Sequence, residues 1–396
     1  MKDYVEKGIP FFRSKEIIKK YNHQKITDKL YISHEKFNQI KGKFGAPSHG
    51  DILLTSVGTI GVPYIVKEDE EFYFKDGNLT WFKNFSSEVS NKYVYYWLAS
   101  PIGKREIDKQ IIGSTQKALT IQSIKEIEIE IPPLEIQLKV VEVLDNLRNK
   151  IEVNIDMNQT LEEMAMTLYK HWFFDFGPFQ GEEFIETELR TIPKGWDVVK
   201  LKDVVAVNKN NIKNNYPYKN IRYIDISSVF EGKLSGYSEY ALSDAPSRAK
   251  RLVNDGDVIW STVRPNRKSF LYIHKPYANT VVSTGFAVLS PVKIPSSFLY
   301  LHVITEQFIS YLVNNAKGSA YPAVNASTFK DAKIVLPPKN VLENFNDLVH
   351  PLINLKNENE MENVDLERTL EYLLPKLLSG EVKLSEVKET VEKLMQ

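Results

Sequence analysis

Two stretches of the chain carry apolar residues at helical spacing over far more than an ordinary helix. Between 134 and 172, Val140, Leu144, Leu147, Ile151, Leu161, Ala165, Leu168 and Trp172 alternate steps of four and three, with Asn154 and Asn158 standing in the same stripe. A seam sustained over several heptads predicts a long helix that faces another helix. The two asparagines are expected to fix its register at some cost in stability. A second stretch, 341–378, carries Phe345, Leu348, Leu352, Leu355, Asn359, Leu366, Leu370, Leu373 and Leu377 less regularly. Pro351 and Pro375 should kink it or start new turns in it. A long amphipathic helix packed on its own domain is the plainer alternative for each. The partner at hand is the other copy. A whole domain separates the two in sequence, so an antiparallel pair is the natural closure.

The rest of the chain shows short β-rich runs. In residues 1–132 they fall at 51–57, 64–66, 71–74 and 126–131, broken by Gly, Pro and Asn. One helix is expected over 91–100, continuing toward 110 past a new first turn or kink at Pro101. Residues 185–338 repeat the plan, with strands expected at 198–207, 221–227, 257–263, 269–274 and 285–290 and a helix at 297–314. The repetition is visible in the letters. Gly50-Asp51-Ile52-Leu53-Leu54-Thr55-Ser56-Val57 returns as Gly256-Asp257-Val258-Ile259-Trp260-Ser261-Thr262-Val263, 206 positions on. Gly113-Ser114 returns as Gly318-Ser319, and Ile131-Pro132-Pro133 as Leu336-Pro337-Pro338, each 205 positions on. The first copy has nothing matching 192–207. Its cover is expected from elsewhere, the C-terminal tail being one source, or the first domain is simply smaller.

These patterns predict an α+β protein. Two tandem α/β domains, 1–132 and 185–338, alternate with two long antiparallel coiled-coil helices, 133–178 and 339–382, and a tail, 383–396, follows. The whole is a pseudo-twofold internal repeat. At 396 residues with 42% hydrophobic content, two real cores are affordable. The chain has 0 cysteines, which removes disulfides and Cys-based sites and fits a reducing cytoplasm. No signal peptide and no membrane-length apolar run are visible. The formal net charge is +0, a mild count against nucleic-acid binding unless charge is segregated.

Chemistry is hard to find in the sequence. There is no Gly-x-x-x-x-Gly-Lys-Ser/Thr phosphate loop and no dinucleotide-type glycine turn. The Pro-Pro pairs are not followed by the aromatic an adenine methyltransferase would show. His171 and Asp175 share a helix face without a third ligand nearby. Glu126, Glu128 and Glu130 alternate as on a solvated strand face. A binding protein is the reading; a free-standing nuclease with two DNA-binding heads and a protein-binding scaffold are its rivals.

The doubled Gly-Asp-Ile/Val block, the paired Ile/Leu-Pro-Pro motifs and the helix endings resemble the specificity subunits of type I restriction–modification enzymes. Those endings are Thr160-Leu-Glu-Glu-Met-Ala-Met-Thr-Leu-Tyr-Lys-His-Trp-Phe-Phe-Asp-Phe176 and Leu373-Leu-Pro-Lys-Leu-Leu-Ser-Gly-Glu-Val382. The resemblance implies two target-recognition domains reading the halves of a split, asymmetric site on double-stranded DNA. It implies two helices that set the distance between them and hold two methyltransferase subunits, which restriction subunits join. S-adenosylmethionine, ATP and magnesium would then serve those partners, and this chain would need no cofactor or metal. About 39 helical residues span roughly 58 Å, comparable to about 17 base pairs.

Local patches point the same way. Arg248, Lys250, Arg251, Arg264, Arg267 and Lys268 stand against only Asp255 and Asp257 between 245 and 270, with Thr262 and Asn266 among them. Arg and Lys neutralise phosphates, and Arg pairs with guanine O6 and N7. The equivalent turn in the first copy, Ser56-Val-Gly-Thr59-Ile-Gly61, has no Arg, so the two heads should read different sequences. Lys41 and Lys43 precede it. A second surface joins Lys104, Arg105 and Lys109 to the loop Gly113-Ser114-Thr115-Gln116-Lys117. Its counterpart contains Ser319, Tyr321 and Asn325, and Gln116 or Asn325 could pair with adenine. A solvated charged face and ordinary connecting loops are the plain alternatives. The aromatic run Trp172, Phe173, Phe174 and Phe176 reads either as a docking surface for a methyltransferase subunit or as core packing under the second domain.

Overall fold

The computed structural model describes residues 4–24, 26–75, 77–113 and 117–382. They fall into two compact units. The first takes the residues up to Val153 together with those from Asn363, and the second is Asn154–Glu362. The division therefore runs through both long helices and not along the boundaries at 132 and 338. Each helix nonetheless forms, as Leu134–Phe173 and Lys339–Leu378.

The seam of the first helix is the stripe read from its sequence. Val140, Leu144, Leu147 and Ile151 are buried in the first unit, and Asn154, Asn158, Leu161 and Ala165 in the second. In the second unit Asn359 donates to Asn158 at 2.9 Å and Asn154 donates to Glu362 at 2.7 Å. One number rises as the other falls, so these helix segments are antiparallel. In the first unit Asn363 reaches the carbonyl of Ile151 at 3.5 Å, in the same sense. Lys356 is buried beside this seam. Although burial opposes its charge, Glu360 at 2.8 Å and nearby Glu162 hold its pKa above the ordinary value.

The second helix departs from its reading in two ways. No new helix starts at Pro351 or Pro375; it runs unbroken through both. Pro351 and Asp347, whose carbonyl the ring deprives of its helical partner, are both exposed, so solvent can meet what the helix loses. Its buried face in the second unit is Leu342, Phe345, Val349, Ile353 and Lys356, while Leu348 and Leu355 are exposed. A four-residue step rule followed from Phe345 finds this face; the three-residue step chosen from sequence leaves it.

In each unit the repeated Gly-Asp block becomes the central strand of a small antiparallel sheet. Ile52–Thr55 lies between Pro63–Ile65 and Leu79–Phe82. Val258–Ser261 lies between Phe270–Tyr272 and Phe286–Pro291, with Val205–Val207 beyond. Both central strands are buried along their whole length. The aspartates close the turn before the strand: Asp51 accepts from the Ser48 amide at 2.9 Å, and Asp257 from the Asn254 amide at 2.7 Å. Asp51 also takes the Trp81 indole N–H at 3.0 Å. Both carboxylates are buried, so the most conspicuous repeat in the sequence is a folding element.

The helix expected over 91–110 divides into Asn91–Ala99 and Pro101–Lys109, with Ser100 capping the second. Two helices appear where strand and loop were expected, Ser14–Tyr21 and His34–Phe44. Neither has a long apolar stripe. Local caps start them: Glu16 accepts the Arg13 amide at 2.8 Å, and Ser33 accepts the Lys36 amide at 3.1 Å.

The strand expected at 126–131 is absent. In the second unit its counterpart, Lys333–Leu336, pairs with Asp197–Lys200. In the first unit 127–131 joins no ladder among the described residues. A strand without a partner leaves its amides to water, and here the run stays irregular with Ile131 exposed. In the second unit Ile334 and Val335 are buried in a large core that also holds Phe173, Trp196, Trp260, Phe298 and Phe345. No helix among the described residues is long and apolar enough to cross a membrane.

The buried asparagine pair makes a testable prediction. Asn158→Leu alone leaves the Asn359 amide buried without its partner and should lower stability by about 1 to 3 kcal/mol. Adding Asn359→Leu should recover most of that loss, while the helix pairing becomes less specific. Urea unfolding of the two single variants and the double variant checks this; a double variant as unstable as the sum of the singles would refute it.

Candidate nucleic-acid interface

Two loops flagged separately in the sequence come together in each unit, joined by the same backbone bonds. In the first unit the Leu119 amide donates to the Ser56 carbonyl at 2.9 Å, and Val57 bridges Ala118. In the second the Val324 amide donates to the Thr262 carbonyl at 2.8 Å, and Val263 bridges Ala323. A further bond, Arg264 amide to Pro322 carbonyl at 2.7 Å, ties the second pair more tightly. Both second loops begin at a glycine of the same conformation, Gly113 and Gly318, each with φ 96°. Both end at a helix cap: Thr120 accepts the Ser123 amide at 3.1 Å and Asn325 the Thr328 amide at 3.0 Å.

The first loops share their corners. Gly58 and Gly61 have φ of 80° and 84°; in the second unit Arg264 and Lys268 occupy the corresponding corners with φ of 47° and 54°. Side-chain-bearing residues are disfavoured there by on the order of 1 kcal/mol or more. The second unit thus puts cations on two corners that glycine would fill without strain. Thr262 pins this turn, its amide and hydroxyl both donating to the Gly285 carbonyl at 2.8 Å.

Around the turn the charges divide into used and unused. Lys268 is paired with Glu306 at 2.7 Å. Arg251 is half-buried, donates to the Thr284 carbonyl at 3.2 Å, and has its pKa lowered by burial. Arg248 is exposed, and its carbonyl accepts from the Thr284 amide. The turn at Thr284-Gly285 therefore links the 248–251 strand to the 262–268 loop. Sequence reading overlooked it, although a Thr-Gly pair between two β runs is a turn signal. Arg248, Lys250, Arg264, Arg267 and Lys317 have no ion pair or side-chain hydrogen bond among the described residues. Asn266, Arg267, Ser319 and Tyr321 are exposed. The Arg264 guanidinium lies over the Tyr321 ring, 4.6 Å from its centroid.

Three assignments change. Asn325 is a helix cap whose carboxamide oxygen also accepts from Ser327 at 2.6 Å, so it is committed to the fold and not free for adenine. Ser56 is buried and bonded to Thr80 at 2.7 Å, which removes it as a phosphate donor. The aromatic run is core and not a docking surface: Phe173 and Phe176 are buried, and Trp172, Phe173 and Phe179 pack with Trp196 and Phe345. Phe174 is half-buried under Arg190. An apolar run at a helix end looks the same in sequence whether a partner subunit or the next domain covers it.

The first unit offers fewer free cations. Thr59 and Lys117 are exposed beside the loop pair, and Lys104 and Arg105 are exposed on the helix whose Ile107 lies against Gly61. Lys109 is paired with Glu106 at 2.8 Å and Lys41 with Glu71 at 3.6 Å, while Lys43 lies over the Phe44 ring. Ser114, Thr115 and Gln116 lie outside the described residues. Among the described residues no group of three or more His, Asp or Glu could hold a metal ion.

The two units thus present differently charged versions of one loop pair on a shared backbone frame. Comparison with known proteins places the chain in a family. The family model of the type I restriction modification DNA specificity domain matches residues 2–163 and 193–366. The chain is 28% identical over 347 residues to the type I restriction enzyme MjaIX specificity subunit of Methanocaldococcus jannaschii, covering 85% of this chain and 79% of that one. It is 23% identical over 372 residues to the MjaVIII specificity subunit of the same organism, covering 91% and 82%. Its fold is similar to that of a type I restriction–modification S subunit from M. genitalium, with a TM-score of 0.52 at 16% identity, covering 94% of this chain and 90% of that one. The chain belongs to the specificity subunits of type I restriction–modification systems.

The core assignment of the aromatic run is checked by Phe173→Ala. Removing a fully buried ring should lower stability by about 3 to 5 kcal/mol. Thermal unfolding should show that loss in the isolated subunit; an undisturbed unfolding midpoint with lost partner binding would restore the docking assignment.

Proposed function

We propose that the subunit reads a bipartite, asymmetric sequence in double-stranded DNA, one half with each unit, and that the paired long helices fix the gap between the halves. The observation that carries this reading is the duplicated loop pair, built on the same backbone bonds and corners but carrying different side chains. A duplicated scaffold with divergent contact residues suits two different half-sites. Free cations near the loops would neutralise phosphates, and exposed hydrogen-bonding side chains would meet base edges.

Methyl transfer, DNA cleavage and ATP hydrolysis belong in this reading to partner subunits, which would use S-adenosylmethionine, magnesium and ATP. Two methyltransferase subunits would dock on the helices, and restriction subunits would join the complex. Apolar side chains left exposed at seven-residue spacing support helix docking: Met157 and Met164 on the first helix, Leu348 and Leu355 on the second. They replace the 172–176 run as the expected anchors.

Co-expression with the methyltransferase subunit of the same source, followed by genome-wide mapping of methylated sites, tests the reading. One split motif with a fixed unspecified gap is expected. A palindromic or undivided motif would show that the two units do not read separate halves. Binding should also weaken steeply with salt, the slope of log K against log salt being about −0.9 per phosphate neutralised.

A further inference from the structure

We propose that Arg264 is the residue through which the second unit selects a guanine, and that Tyr321 positions it. The inference rests on the reading that this unit binds DNA and names the base it looks for.

Arg264 has a fixed backbone and an idle head. Its amide is bonded to Pro322, Pro265 follows it, and Thr262 two residues before is held by Gly285. Its φ and ψ of 47° and 62° lie in the left-handed region, at a corner where the first unit has Gly58. The fold does not need arginine there. The guanidinium has no hydrogen bond or ion pair among the described residues, and it lies over the ring of Tyr321.

Tyr321 is equally idle. It is 58% exposed, and its hydroxyl has no hydrogen-bond partner among the described residues. A large aromatic left in solvent at a loop tip contributes little to folding. Its use here is to hold a guanidinium by its face while leaving the N–H edge open. An aligned pair of N–H donors matches guanine O6 and N7 in the major groove. A phosphate would need only charge, which Arg248, Lys250, Arg267 and Lys317 already supply without strain at Arg264. Gly58 offers no side chain at the same corner of the first unit. The guanine requirement should therefore fall in one half-site alone.

The test uses the full chain in complex with its methyltransferase subunits. The wild-type complex is first mapped for its methylated motif. Duplexes are then made in which each guanine of that motif is replaced in turn by 7-deazaguanine, which keeps base pairing and lacks the N7 acceptor. Equilibrium binding is compared for wild type, Arg264→Gly, Tyr321→Phe and Tyr321→Ala. Wild type should lose roughly fivefold or more at one guanine in one half only. Arg264→Gly should bind the unmodified duplex roughly 5- to 150-fold more weakly and ignore that replacement. Glycine suits the corner, so the unfolding midpoint of this variant should hold or rise. Tyr321→Phe should keep the discrimination and Tyr321→Ala lose much of it, both with unchanged midpoints. Arg264→Gly weakening every duplex alike would make Arg264 a phosphate contact, and no coupled guanine would overturn the proposal. Tyr321→Ala behaving as wild type would overturn the positioning role. A wild-type complex with no split motif would instead sink the underlying two-half reading.

Discussion

A side chain can discriminate between base pairs only if the backbone that carries it cannot drift. In both units that condition is met by main-chain bonds between two loops far apart in sequence, Leu119 to Ser56 and Val324 to Thr262. The first loop of each pair leaves the most deeply buried strand of its unit, and the second ends on a capped helix. Position at the tip is thus inherited from core packing at one end and from helix capping at the other. Burial of each central strand, closed by Asp51 or Asp257, is what the position of each loop pair hangs on.

The duplication sorts residues by role. Positions that repeat between the copies are the ones that build the scaffold: the aspartates, the strand apolars, the glycines at 113 and 318. Positions that differ, Gly58 against Arg264 and Gly61 against Lys268, sit on shared corners where the fold itself would choose glycine. Of the two cations, Lys268 is compensated by Glu306, whereas Arg264 meets only an aromatic face. Both corners keep the strained left-handed backbone, and only the charge at Lys268 is paired within the fold.

Much of this was legible in the letters because long-period and repeated signals survive without tertiary knowledge. The stripe from Val140 to Ala165 is buried as spaced, and Asn154 and Asn158 are paired across the helices. What failed did so for definable reasons. Ser14–Tyr21 and His34–Phe44 are short and depend on caps more than on apolar period. Leu348 and Leu355 satisfied a three-four spacing, yet the buried face runs through Val349 and Ile353. Asn325 and Ser56 were correct polar types in the right loops, but a cap and a buried hydroxyl are distinguished from contact residues only by their partners. The run at 172–176 was apolar as read; which surface would cover it depended on Trp196 and Phe345, far away in sequence.

The irregular segment at 127–131 shows how local such dependence is. It alternates Ile with Glu where its counterpart is Lys333-Ile334-Val335-Leu336, yet without a paired strand it does not form one, and Ile131 remains in solvent. The loop pair just upstream is undisturbed. Thr120 and Ser123 close a reciprocal cap on the helix Ile121–Lys125, and that helix stands between the irregular run and the Leu119–Ser56 bond. The cap satisfies its orphan amides locally, so the loop's geometry does not require the strand beyond it. The strand edge and the loop pair of this unit are therefore separable. An unpaired segment at the base of this unit thus coexists with the same bond between its loops that the second unit makes.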